Sequence, residues 1–254
     1  MILIADVHGA SEKLRGLVAS LDQPLLVLGD LINFTDYRTY EGILAELSGI
    51  DFVRRLVELR MAGRRDEARA LWKEATEGRE DELRVRHGEL VDAAYREIGA
   101  AFEGAGAYIT YGNVDRVEVL LEHLPAGNRF VDHERLEIEG WEVGIMGGGI
   151  TSGLNVPGEL SEDEMEDRLA TLGPVDILCT HVAPAIPPLQ RDVVGGMSKG
   201  SRAVLAYLER HQPRFHYFGD VHQPQASQWW VGHTLARNVG YFRATGRGVH
   251  HPAS

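Results

Sequence analysis

Chemistry in this chain begins at its first strand, Met1-Ile-Leu-Ile-Ala-Asp6-Val-His8-Gly9. A short apolar run closed by glycine reads as a buried strand. Residues two apart on a strand share a face, so Asp6 and His8 would aim together off its carboxyl end. Four more apolar runs end in groups of the same kind: Asp30 after Leu25–Leu28, Asn113 after 107–111, His181 after 175–179, and Asp220 with His222 after Phe215–Phe218. Each has an ordinary explanation by itself. A strand-end Asp or Asn caps the next helix, and a loop histidine is solvated. In an open α/β sheet, however, all five places fall at the edge where such folds put their sites. Carboxylates converging there without a cation would repel one another. Hard oxygens beside imidazole nitrogens suit divalent transition metals, so the joint pattern points to a two-metal centre.

The elements that must position these groups follow from periodicity. Leu14, Leu17, Val18 and Leu21 have helical spacing, and Gln23-Pro24 ends that helix before the second strand. Strand, helix, strand in this order favours a parallel sheet. From Asp36 to about Gly106 the strand pattern stops, and sets such as Phe52, Leu56, Leu59 predict several amphipathic helices. We expect these to form an inserted helical cap over the site within a single domain spanning 1–254. Beyond it the pattern predicts a helix over 115–124 and a hairpin of 135–139 with 141–146. Ser161 and Glu164 make a capping box for an acidic helix running to Leu172. A Pro- and Gly-rich loop over 183–200, a helix over 202–210 and a closing antiparallel pair around Gly232 complete the chain.

Composition narrows the function classes. With 254 residues the chain can bury one large core. A net charge of −12 speaks against a broad electrostatic grip on extended nucleic acid. Between Arg54 and Ala105 eleven basic residues balance twelve acidic ones, which describes a solvated helical surface and not a basic patch. A lone cysteine, Cys179, excludes a disulfide framework and fits a reducing compartment. No signal-peptide pattern opens the chain and no apolar stretch approaches membrane-spanning length, so we expect a cytoplasmic protein without a membrane partner. Oligomeric state is not legible.

The order Asp6-x-His8, Gly29-Asp30, Gly112-Asn113-x-Asp115, Thr180-His181 and Gly219-x-x-His222 resembles the calcineurin-like metallophosphoesterases. Gly147-Gly148-Gly149, Asp192 with Gly200-Ser201, and Gly232-His233-Thr234 with Asn238-Val239-Gly240 resemble the small bacterial members. The resemblance covers nearly the whole chain except the helical insertion. It implies a four-layer αββα sandwich of two mixed sheets with the site on loops at one edge. It also implies two divalent metal ions, one on Asp6, His8 and His222, the other on Asn113 and His181, with Asp30 bridging. A hydroxide between them would attack phosphorus in a small phosphorylated substrate.

Two departures from the family pattern matter. Asp220 stands where a second-metal histidine is expected. As a ligand it would favour a harder ion such as Mn²⁺ over Fe, Zn²⁺ or Ni²⁺. Val114 stands where many members carry a leaving-group histidine and cannot transfer a proton, which turns the expectation toward phosphodiesters. Two other readings stay open: a non-catalytic binding scaffold on the same fold, and a nuclease. Among the remaining residues, Asp115 is expected to cap its helix and orient the Asn113 loop. Asn33 could hydrogen-bond the site, Arg116 could reach a phosphate, and Tyr37 and Tyr40 could line the pocket. His211, His216 and His233 are expected in packing or surface roles, and one of Trp229 and Trp230 in the core.

Overall fold

Two sheets stacked face to face, each covered outside by helices, organise the computed structural model, which describes residues 1–151, 156–193 and 197–252. Across the first sheet the order is Val249–His250, Ile2–Ile4, Leu25–Leu28, Tyr108–Thr110 and Arg129–Phe130. Its neighbours are parallel except the first pair. The second sheet runs Gln228–Val231, Thr234–Asn238, Phe215–Phe218, Ile177–Thr180, Trp141–Met146 and Glu134–Ile138. Its four central strands are parallel, and both edge strands are antiparallel to their neighbours.

Period-2 alternation makes this a four-layer αββα sandwich. Leu3, Ala5, Leu26 and Leu28 point between the sheets, where they meet Val143, Ile145, Ile177, Cys179 and Tyr217. Ile2, Ile4, Leu25, Val27 and Ile109 point outward onto Leu14, Val91, Tyr95, Ile98 and Leu120. On the far side Leu178, Phe218 and Ala236 meet Met165, Leu169, Val204 and Leu208. Both faces of the central strands are therefore dry, and the parallel strands all deliver their carboxyl ends to one edge.

Most predicted elements stand within a residue or two of the structure. The hairpin pairs Glu134–Ile138 with Trp141–Met146, and the Ser161–Glu164 capping box is formed. The 183–200 loop contains a short helix, Pro187–Gln190, and its residues 194–196 lie outside the described ones. Three expectations need correction or refinement. Trp229 and Trp230 are both exposed, because Gln228–Val231 is the edge strand of the second sheet and only its Val231 is buried. Asp115 does not cap the helix Val117–His123, which has no side-chain cap. The stretch 36–106 divides by its packing. Ile43–Ser48, Ile50–Met61 and Arg65–Thr76 share a small cluster of Leu44, Val53, Leu56, Val57, Leu59 and Ala68. Glu80–Ala101 instead buries Leu90, Val91, Tyr95 and Ile98 against the first sheet and belongs to the outer helical layer.

His216 illustrates how dry the second sheet is. Its ring is fully buried, its Nε2 lies 2.9 Å from Thr180 Oγ1, and its Nδ1 has no partner. Burial pushes its pKa down to about 3. The unfolded chain therefore binds a proton below about pH 6.5 that the folded chain refuses, so this residue costs stability as pH falls from 6.5 toward 3. Urea melts at pH 7, 6 and 5 should show His216→Gln gaining on the wild type at lower pH, by up to about 1.4 kcal/mol per pH unit. A pH-independent difference would show that His216 is accessible to protons in the folded state.

Candidate metal centre

Four of the residues that meet at the sheet edge hold backbone conformations that ordinary side chains avoid. Asp6 (57°), His8 (42°), Asp30 (55°) and Asp220 (63°) are four of the eight described non-glycine residues with positive φ. Each such residue costs of order 1–2 kcal/mol and persists only where its surroundings insist on it. The cause here is the sharp turn each chain makes on leaving its strand. The turns also touch backbone to backbone: a Cβ on Gly29 would lie 2.2 Å from Gly112 N, and one on Gly112 would lie 2.1 Å from Asp30 Oδ1. Neither glycine can be replaced without parting the Asp30 and Asn113 loops.

The side chains converge. His8 Nε2 is 3.2 Å from His222 Nε2 and 3.9 Å from Asp6 Oδ1, and His222 Nε2 is 3.5 Å from the same oxygen. Asp30 presents Oδ2 3.6 Å from His8 Nε2 and Oδ1 3.5 Å from His181 Nε2. Asn113 Oδ1 lies 3.3 Å from His181 Nε2. Two three-residue groups could thus each hold an ion: Asp6, His8 and His222, and Asp6, Asp30 and His181. Of the seven residues expected to ligate metal, only Asp220 is already engaged by a cation. Its Oδ1 accepts a 2.6 Å bond from Lys199 Nζ and stands 3.9 Å from His181 Nε2.

These residues fit divalent cations. His8 Nδ1 donates to the Ile32 carbonyl at 3.1 Å, and His181 Nδ1 donates to the Leu28 carbonyl at 2.7 Å. Each bond fixes the tautomer that leaves a bare Nε2 lone pair facing the centre, the usual way a ligating imidazole is oriented. Asp6 Oδ1 is fully buried with no hydrogen-bond partner, which ordinary buried polar atoms rarely are. Burial would raise the Asp6 carboxyl, yet His222 foremost, with His181 and His8, holds it down at about 2. A cation between the lone pairs satisfies all of these groups at once. A third cluster, Asp92, Glu122 and His123, is different: Asp92 is already paired with Arg96 and His123 on the outer helices.

Other expected residues take humbler places. Asp115 is buried and accepts from the backbone N–H groups of Asp30 (2.7 Å), Leu31 (3.0 Å) and Gly112 (2.8 Å), and from Tyr95 Oη at 3.0 Å. It joins the two loops that carry Asp30 and Asn113. Burial, then the charge of Asp30, raises its carboxyl to about 6. Arg116 is exposed, and its backbone N–H donates to Tyr95 Oη. Asn33 is half-buried and its carbonyl receives the Ile43 N–H that starts the first cap helix. Tyr37 and Tyr40 pack on the cap's own cluster. His216 is buried, His233 is exposed and His211 lies against Tyr207.

The aromatic at the site is one that periodicity did not single out. Tyr241 stacks on His222 with centroids 4.0 Å apart and meets His8 edge-on. Its hydroxyl donates to Asp36 Oδ2 at 3.1 Å, while Arg243 pairs with Asp36 and donates to the His8 carbonyl at 2.6 Å. This network fastens Asp36 to the His8 turn. Only a late Asn-Val-Gly-Tyr run marked Tyr241 in the sequence, and nothing marked Lys199 or Tyr95.

Against solved structures, one crystal structure superposes with a TM-score of 0.58 at 19% identity, covering 95% of this chain and 90% of the other. TT1561 of Thermus thermophilus gives 0.52 at 13% identity, covering 95% and 89%. SoxB, a Thermus thermophilus sulfate thiohydrolase in complex with glycerol, gives 0.43 at 11% identity over 38% of its length, too loose to bear on the argument. No protein-family model matches the chain, and no curated protein matches it in sequence. The likeness is one of fold, and that fold is the four-layer αββα sandwich of two mixed sheets that the motif order implies.

The Asp115 clamp has a measurable consequence. Asp115→Ala would strand three buried N–H groups and a tyrosine hydroxyl, costing about 3–5 kcal/mol in urea unfolding. Arg116→Ala, on an exposed side chain, should stay within about 0.5 kcal/mol. Equal effects of the two would show that the clamp does not hold the loops.

Proposed function

We propose that this protein is a metal-dependent phosphoric ester hydrolase, acting on phosphodiesters in preference to monoesters and using two divalent ions. The observation that carries this reading is the convergence of the Nε2 atoms of His8, His181 and His222 on Asp6 Oδ1, which has no hydrogen-bond partner, and on both oxygens of Asp30. Divalent ions held there would supply charge neutralisation for the phosphoryl oxygens and an activated water.

The chain's own groups divide the remaining work. Asp30, with one oxygen toward each histidine group, sets the spacing of the centre. The Ile32 and Leu28 carbonyls keep His8 and His181 as lone-pair donors throughout a cycle. His222 is the most open of the three histidines, with its side chain 24% exposed, so substrate enters on its side beside Tyr241. Val114 offers no proton to a leaving group, and its backbone N–H is spent on Asp30 Oδ1. Without an acid worth about 10²–10⁴ in rate, good leaving groups are favoured.

Chelator-stripped protein should be inactive and should regain activity with Mn²⁺. An aryl phosphodiester such as bis(p-nitrophenyl) phosphate should turn over faster than an alkyl phosphomonoester, and Asp30→Asn should lose roughly 10³-fold or more in kcat/KM. Faster turnover of the alkyl monoester would overturn the diester preference. Bound metal with no hydrolysis of either class would leave a binding scaffold.

A further inference from the structure

The proposed reading treats the two ion positions alike, but the charges around them are not alike. Asp6, Asp30 and Asp220 bring three carboxylates to the sheet edge, all nearly inaccessible to solvent. Lys199, just ahead of the short strand Gly200–Ser201, brings one ammonium into the same space. Its Nζ donates to Asp220 Oδ1 at 2.6 Å and to the Asp220 carbonyl at 3.0 Å. As metal ligands the imidazoles of His8, His181 and His222 are neutral and add no charge to an occupied centre.

The three carboxylates that face the ion positions and the one ammonium sum to −2; Asp115 lies behind them, its oxygens taken up by backbone N–H groups and Tyr95. One divalent cation neutralises that charge, and a second would leave +2 where field lines are poorly screened. Position decides which ion comes first. Asp6, His8 and His222, with the nearer oxygen of Asp30, have no cation competing for their lone pairs. At the other corner the Asp220 oxygen that faces His181 is the one Lys199 holds. An ion there must either displace the ammonium or sit beside it.

We propose that Lys199 is a built-in counter-ion that makes the centre asymmetric. One divalent ion binds alone at Asp6, His8 and His222, and a second enters at Asp30, Asn113 and His181 only together with an anionic phosphate. A phosphodiester brings −1 and its monoester product or inorganic phosphate about −1.5 to −2 at neutral pH, so each offsets charge that the second ion adds, the product more than the substrate. Lys199 thereby ties occupancy of the second position to the presence of substrate or product. This rests on the reading of the site as a divalent-metal centre.

The test is Mn²⁺ titration of the metal-free full-length protein, followed by calorimetry and by the EPR signal of free Mn²⁺. Wild type should bind one equivalent tightly and a second at least about tenfold more weakly, and inorganic phosphate should tighten the second. Lys199→Met and Lys199→Gln should tighten the second equivalent by about tenfold or more without phosphate, while Lys199→Arg should behave as wild type. Two equivalents of like affinity in the phosphate-free wild type would overturn the proposal. So would an unchanged second affinity in folded Lys199→Met and Lys199→Gln, or a second affinity indifferent to phosphate. The phosphate arm needs only wild type, so it decides even where a variant folds poorly. Failure of wild type and every variant to bind Mn²⁺, Zn²⁺ or Ni²⁺ would instead sink the hydrolase reading itself.

Discussion

Like charges forced together are the constraint around which this molecule is built. Asp6, Asp30, Asp115 and Asp220 all lie buried at one end of a two-sheet sandwich. Buried carboxylates that close raise one another's proton affinity or demand cations. The protein answers in three ways. Asp115 is met by backbone N–H groups and a tyrosine hydroxyl. Asp220 is met by an ammonium. Asp6 and Asp30 face the Nε2 atoms of His8, His181 and His222, and it is there that a metal fits.

Holding such an arrangement takes a stiff frame. The strands that end in Asp6, Asp30, Asn113, His181 and Asp220 are buried on both faces, so their carboxyl ends cannot shift independently. Strain at four site residues is offset by this packing and by the Asp115 clamp. Tyr95 extends the clamp outward: it belongs to the Glu80–Ala101 helix, buried against the first sheet, and reaches the loops with its hydroxyl. The outer helical layer is therefore part of what keeps the loops in register. The start of the helical segment is tied to the site by a different route, through Asp36, Tyr241 and Arg243 to the His8 carbonyl.

Legibility in the sequence followed the range of the interactions. Strands such as Phe215–Phe218 and Leu25–Leu28 stood out because apolar runs bounded by glycine and aspartate need no distant partner to be recognised. The Ser161–Glu164 capping box is a contact between residues three apart and was equally plain. The candidate ligands were visible because several strands ended in the same chemistry. The burial of Trp229 and Trp230 was misjudged because alternation shows that two residues face opposite ways, not whether either face is covered. Asp115 was read as a cap for the same reason. Its sequence neighbours suggest a local role, and its partners at Asp30, Leu31 and Tyr95 lie up to 85 positions away.

The sequence by itself determined the strand ends, the residue types placed on them and the chemistry those types can perform, because strand periodicity and ligand hardness are local properties. Tertiary structure alone decided that Lys199 meets Asp220, that Tyr241 lies on His222, and that the helix bearing Tyr95 steadies the loops. Those pairings join residues distant in the chain, and their energies depend on burial and on neighbouring charge, neither of which a residue's sequence neighbours specify.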